Sequence, residues 1–214
     1  MFKPQRYPTT RNAFTIIELL VVLGIIVVLA GITFGLMSGA QERGRTSRAQ
    51  AELRALAQAL EQYQGQYGDY PWVEMPGVAT NEEVLFNALA GIVGPTGDPI
   101  RDDSGATRVG RVYVDFSRFS IGDRDNEALS EAERDELPRA GETSPGVLER
   151  RFLDPWGNPY RYYYKSRTEQ PDFSWERRGF VLYSAGPSGE HREPGNDGVM
   201  PDRMENDDNI YFDD

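Results

Sequence analysis

Glu18 stands at the entrance of Leu19 to Met37, a run of nineteen residues without a charge. A lone carboxylate in such a run is costly, up to about 3 kcal/mol at the centre on insertion scales and less near the end, so it calls for a specific partner. The chemistry this predicts is ion pairing. Other reactive groups are few. With no Cys and a single His, the chain has no thiolate nucleophile, no disulfide framework and no Cys/His zinc cluster, so any metal must be held by oxygen. His191 lies among Glu190, Arg192 and Glu193 and reads as a solvated loop residue. Gly186-Pro187-Ser188-Gly189 lacks the strand-turn-helix context of a nucleophile elbow. Gly94-Pro95-Thr96-Gly97 has no Lys where a phosphate-binding loop needs one. The expectation is a protein that is not an enzyme.

The element that must position Glu18 is a long helix. As a helix at ~1.5 Å per residue, Leu19 to Met37 spans ~28 Å, about one bilayer core. Ahead of it Lys3, Arg6 and Arg11 stand without an acid, which keeps the amino terminus cytoplasmic and sends the rest across. A secretory signal cut after Val28-Leu29-Ala30 is the competing reading, but the apolar run continues past that point through Ile32, Phe34 and Leu36. Gly31, Gly35 and Gly39 are spaced either as close-approach points between helices or as glycines merely tolerated there. From Gln41 to Gln66 there is no Pro, and Leu53, Leu56, Ala57, Leu60, Tyr63 and Tyr67 recur at helical spacing. Gly68-Asp69-Tyr70-Pro71 ends the pattern. The spacing thus predicts one helix from Phe14 to Gln66, ~80 Å long, with a face for a head to fold on.

The remaining 148 positions, 67 to 214, are acidic and rich in turns. The net charge of −11 leaves no broad basic surface for nucleic acid. Asn81 to Ile92 predicts a short helix and Arg111 to Phe116 a strand. Arg118 to Gly146 reads as a solvated surface insertion. Asp154-Pro155-Trp156-Gly157 has turn chemistry and leads into a strand at Arg161 to Lys165, with another at Gly179 to Ser184.

Two stretches carry a resemblance. Ala13-Phe14-Thr15-Ile16-Ile17-Glu18-Leu19-Leu20 resembles the prepilin cleavage and methylation motif of type IV pilins and type II secretion pseudopilins, with Ala in place of the usual Gly before the cut. Asp154-Pro155-Trp156-Gly157-Asn158-Pro159-Tyr160, followed by a strand and by Tyr183-Ser184-Ala185-Gly186, is similar to the head of the major pseudopilin. The resemblance covers about residues 13 to 70 and 152 to 212 and leaves the middle unmatched. It implies that a prepilin peptidase cuts between Ala13 and Phe14 and methylates the new amine. If the helix then packs among copies of itself, the nearest cation for Glu18 is that amine on a neighbouring subunit, a pairing that fixes axial register.

The resemblance also implies a calcium ion ordering the C-terminal loop, held by the carbonyl of Ala185, by position 188 and by Asp207 and Asp208. The family's Asp is Ser188 here, with Asp197 or Asp202 as substitutes. Glu190 to Asp214 is acidic enough to supply oxygen ligands, though a solvated acidic tail explains the same composition, and the segment does not fit an EF-hand loop.

The expected fold class is α+β and pilin-like, a long N-terminal helix packed on a small antiparallel sheet. The expected organisation is a cleaved leader at 1–13, a transmembrane or filament-core helix at 14–37, its amphipathic continuation at 38–68 and a periplasmic head at 69–214. The expected role is a homo-oligomeric pseudopilus subunit of the inner membrane. Its partners would be prepilin peptidase, minor pseudopilins and the inner-membrane assembly platform, with no nucleic acid. A surface type IV pilin and a signal-anchored envelope enzyme or binding protein are the alternatives.

Overall fold

A computed structural model describes residues 15–72, 80–164, 179–194 and 208–212, without the side chains of 32–38 and 40. The chain is α+β and divides into two compact units, Met1–Arg43 and Gly44–Asp214.

Helix α1 (Ile16–Tyr67) runs for 52 residues, close to the predicted span. In the first unit its apolar side chains from Ile16 to Leu29 lie exposed, Leu23 by 49 % and Ile16 by 82 %, so nothing among the described residues covers them. No helix among the described residues is long and apolar enough to cross a membrane. The apolar run is described only in part, since the side chains of residues 32–38 lie outside the description.

In the second unit α1 carries the expected stripe. Ala49, Leu53, Leu56, Leu60 and Tyr63 are all fully buried, and Tyr67 packs at the edge of the core. The helix ends where the Gly68 amide donates to Gln64 O at 2.8 Å with φ +84°, the left-handed cap that Gly adopts without strain.

Helix α2 (Asn81–Leu89) starts with a capping box: Thr80 Oγ1 accepts from the Glu83 amide, and the Glu83 carboxylate accepts from the Thr80 amide. It stops three residues short of the predicted end. Gly91 takes φ +73°, and a Cβ there would lie 2.6 Å from Arg111 O, so the chain turns where another backbone segment crosses it.

Two small antiparallel sheets follow, rather than the single one expected. β1 (Ser120–Gly122) pairs with β2 (Arg151–Leu153), Ile121 facing Phe152. β3 (Arg161–Tyr163), β4 (Val181–Ser184) and β5 (Ile210–Tyr211) form the second, in the order β3-β4-β5. Tyr162 and Leu182 point from it into the main core, while Tyr163, Val181, Tyr183 and Tyr211 form a separate apolar cluster.

The predicted strand at Arg111 to Phe116 is absent. Asp115 Oδ1 accepts from the Ser117 amide at 3.0 Å and starts a 3-10 turn at Phe116–Arg118, which bends the chain out of extended geometry. The segment expected as a solvated insertion is mostly surface, yet it is anchored in the core. Phe119, Ile121, Leu129 and Leu137 are buried, the segment forms β1, and a five-residue helix α3 (Glu131–Asp135) stands between them on a Ser130 capping box.

Candidate functional site

Of the residues expected to carry the assembly chemistry, Glu18 is described and Ala13 and Phe14 lie outside the described residues. Glu18 occupies the third position of α1, and Thr15 is the residue before the helix. The Thr15 amide and hydroxyl both donate to Glu18 Oε2 at 2.9 Å, and the Glu18 amide donates back to Thr15 Oγ1 at 3.3 Å. This is a capping box, in which two amides that the helix leaves without partners are satisfied reciprocally. The carboxylate therefore has an intramolecular partner that charge reasoning did not supply. The signal was in the same octet, as Thr15-x-x-Glu18 directly ahead of an apolar run. One oxygen takes both bonds, so Glu18 Oε1 has no donor among the described residues.

The second candidate lies where β4 and β5 meet. Pairing of Ser184 with Ile210 brings Asp208 onto the loop that follows β4. Gly186 takes φ +66°, and a Cβ there would lie 2.4 Å from Asp208 O, so the two backbones touch. The Ser188 amide donates to Asp208 Oδ2 at 3.0 Å and its hydroxyl to Oδ1 at 2.7 Å. Ala185 is fully buried beside them. Ala185, Ser188 and Asp208 are thus brought together, while Asp197, Asp202 and Asp207 lie outside the described residues.

Ala185, Ser188 and Asp208 by themselves do not make up a calcium shell, and the other expected ligands lie outside the described residues. The ion takes six to eight oxygens, mostly from carboxylates, carbonyls and water. Of the expected ligands only Asp208 brings a described carboxylate, and each of its oxygens already accepts a hydrogen bond from Ser188. Among the described residues there is no group of three or more His, Cys, Asp or Glu able to hold a metal ion. His191 is exposed.

Beneath this loop sits a buried carboxylate that turn chemistry alone did not single out. Asp154 is 2 % exposed, its Oδ2 accepting from Ser184 Oγ at 2.6 Å and its Oδ1 from the amides of Trp156 and Asn158. Asn158 Nδ2 in turn donates to Gly186 O at 2.8 Å. The Asp-Pro-Trp-Gly-Asn turn is therefore the floor on which the loop after β4 rests.

Burial pushes the Asp154 carboxyl above its ordinary 3.8, against the Ser184 hydroxyl and the backbone amides, which favour the charged form. The folded state then binds this proton more readily than the unfolded chain does. The stabilisation it brings is complete below the ordinary value and is lost as pH rises through the raised one. Asp154→Asn should therefore gain stability relative to the parent as pH climbs from about 3.5 to 7. Melting temperatures of both proteins across that range give the test, and a difference that stays constant with pH refutes it.

Three further ionic contacts brace the second unit. Glu52 of α1, nearly buried, accepts from Tyr160 Oη at 2.6 Å and from Arg48 Nε at 2.7 Å. Burial raises the Tyr160 hydroxyl and keeps it a donor. Glu83 pairs with Arg151 at 3.0 Å, and Glu82 with Arg161 at 2.9 Å, so α2 is fastened to β2 and β3. Arg48–Glu52 is a local pair four positions apart on α1, but Glu52–Tyr160, Glu83–Arg151 and Glu82–Arg161 join positions 68 to 108 apart, which periodicity does not announce.

Compared with protein-family models, curated proteins and solved structures, the chain matches none.

Proposed function

We propose that this chain is a pilin-like filament subunit, most specifically the major pseudopilin of a type II secretion system. A prepilin peptidase removes residues 1–13, Phe14 becomes the methylated amino terminus, and the apolar half of α1 anchors the subunit in the inner membrane with its head in the periplasm. Extracted by the assembly platform, copies pack through that helix into a short filament, joined by minor pseudopilins, that pushes folded proteins through an outer-membrane pore. The role is mechanical rather than catalytic.

The observation that carries the reading is Glu18 at the head of an exposed apolar helix, inside the octet from Ala13 to Leu20. A carboxylate with one oxygen held by Thr15 and the other without a donor among the described residues suits a residue that must serve first alone and then in a packed filament. The methylated amine of Phe14 on the neighbouring subunit supplies its cation. The pattern around Asp154 to Tyr160 supports the pseudopilus over a surface pilus.

Deleting the gene in the host that carries it distinguishes the two. The pseudopilus reading expects exported proteins to accumulate folded in the periplasm while surface fibres and twitching persist. Normal export with loss of surface fibres would assign the chain to a type IV pilus instead.

A further inference from the structure

The Ser188–Asp208 contact points beyond filament assembly, to how the end of the chain is held. β5 is the last described strand, and among the described residues its pairing with β4 consists of two residue pairs, Tyr183 with Tyr211 and Ser184 with Ile210. Something must fix the stretch that enters it. Asp208 does so from three sides: its backbone lies on Gly186, its Oδ2 takes the Ser188 amide, and its Oδ1 takes the Ser188 hydroxyl. The Ser188 hydroxyl oxygen also accepts from the Glu190 amide at 3.1 Å, so its proton is committed to Asp208 and a lone pair to its own turn. Asn158 ties the same loop to the turn below it through Gly186 O, and Gly189 sits so close to Asn158 that a Cβ would lie 2.9 Å from its Oδ1.

We infer that the entry to β5 is fastened to the loop after β4 by a metal-free clasp, in which the neutral hydroxyl and amide of Ser188 bind Asp208 directly where a second acid would require a cation. The physical reason is charge. Two carboxylates at 188 and 208 would face one another at hydrogen-bond distance, and such a pair repels unless a proton or a cation lies between them. Serine supplies its own proton. It donates two hydrogen bonds to an ionised acceptor, the stronger class of such bonds, and brings no charge that needs neutralising. The clasp stands whether or not the chain forms filaments, because all of its members lie within the second unit.

The test uses the full chain in detergent, with thermal unfolding followed in excess EGTA and in millimolar calcium chloride. The parent should melt at the same temperature in both, within about 1 °C. Ser188→Ala should melt lower by the same amount in both. Ser188→Asp, at an exposed loop position, should melt about 3 °C or more lower in EGTA and recover when calcium is added. A parent that loses stability in EGTA and regains it with calcium overturns the inference. So does a Ser188→Asp variant indifferent to calcium, since residue 188 would then not face Asp208 as described.

Discussion

Glu18→Gln is expected to abolish filament assembly while leaving the subunit in the membrane fraction and its helix start formed. Gln serves at the third position of a capping box as Glu does, so the reciprocal bonds with Thr15 persist. What the substitution removes is charge. In the packed filament the amine of Phe14 then faces a neutral amide, and breaking a buried ion pair from one side costs about 3 to 5 kcal/mol. At about 1.4 kcal/mol per tenfold, subunit association weakens by about two to four orders of magnitude. Thr15→Ala makes the opposite cut: it removes the cap, worth about 1 kcal/mol, and keeps the charge, so filaments should persist at reduced yield. Sheared filaments counted by electron microscopy, beside the membrane content of each strain, read both outcomes. Normal filament numbers from Glu18→Gln would contradict the register role.

The largest effect on the second unit is expected from Glu83→Ala. This carboxylate is 1 % exposed and does three things: it caps α2 through the Thr80 amide, pairs with Arg151 at 3.0 Å and stands 3.5 Å from Arg124. Its loss leaves the mostly buried Arg151 guanidinium without its carboxylate and breaks the capping box. Leaving a buried charge unpaired costs about 3 to 5 kcal/mol, which for a chain of this size lowers the melting temperature by about 6 to 20 °C. Adding Arg151→Met to Glu83→Leu should recover most of that loss, because an apolar pair of similar volume replaces a buried ion pair at little cost. A single variant within about 2 °C of the parent would show the pair to be dispensable.

Much of the fold is legible along the chain because α1 obeys one period. Leu53, Leu56, Leu60 and Tyr63 recur at helical spacing and are buried for that reason, and Gly68 marks the stop by its left-handed backbone. Contacts made over long distances are not legible in the same way. α2 ends early because the backbone at Gly110 and Arg111 crosses Gly91, which no local pattern announces. The segment from Arg118 to Gly146 is acidic on average, yet Phe119, Ile121, Leu129 and Leu137 anchor it, and an average conceals four well-placed apolar side chains. At the candidate sites the same division holds. Glu18 stands out because a charge in an apolar run is costly, and its spacing from Thr15 is a local signal. The contact between Ser188 and Asp208 joins positions 20 apart through strand pairing, so only the folded chain displays it.

The amino terminus of the mature chain is the most direct measure of the filament reading. Intact-mass analysis of protein purified from membranes of a strain with an active prepilin peptidase should give a chain that begins at Phe14 and carries one added methyl group. A mass corresponding to a start at Met1 or at Gly31 would contradict it.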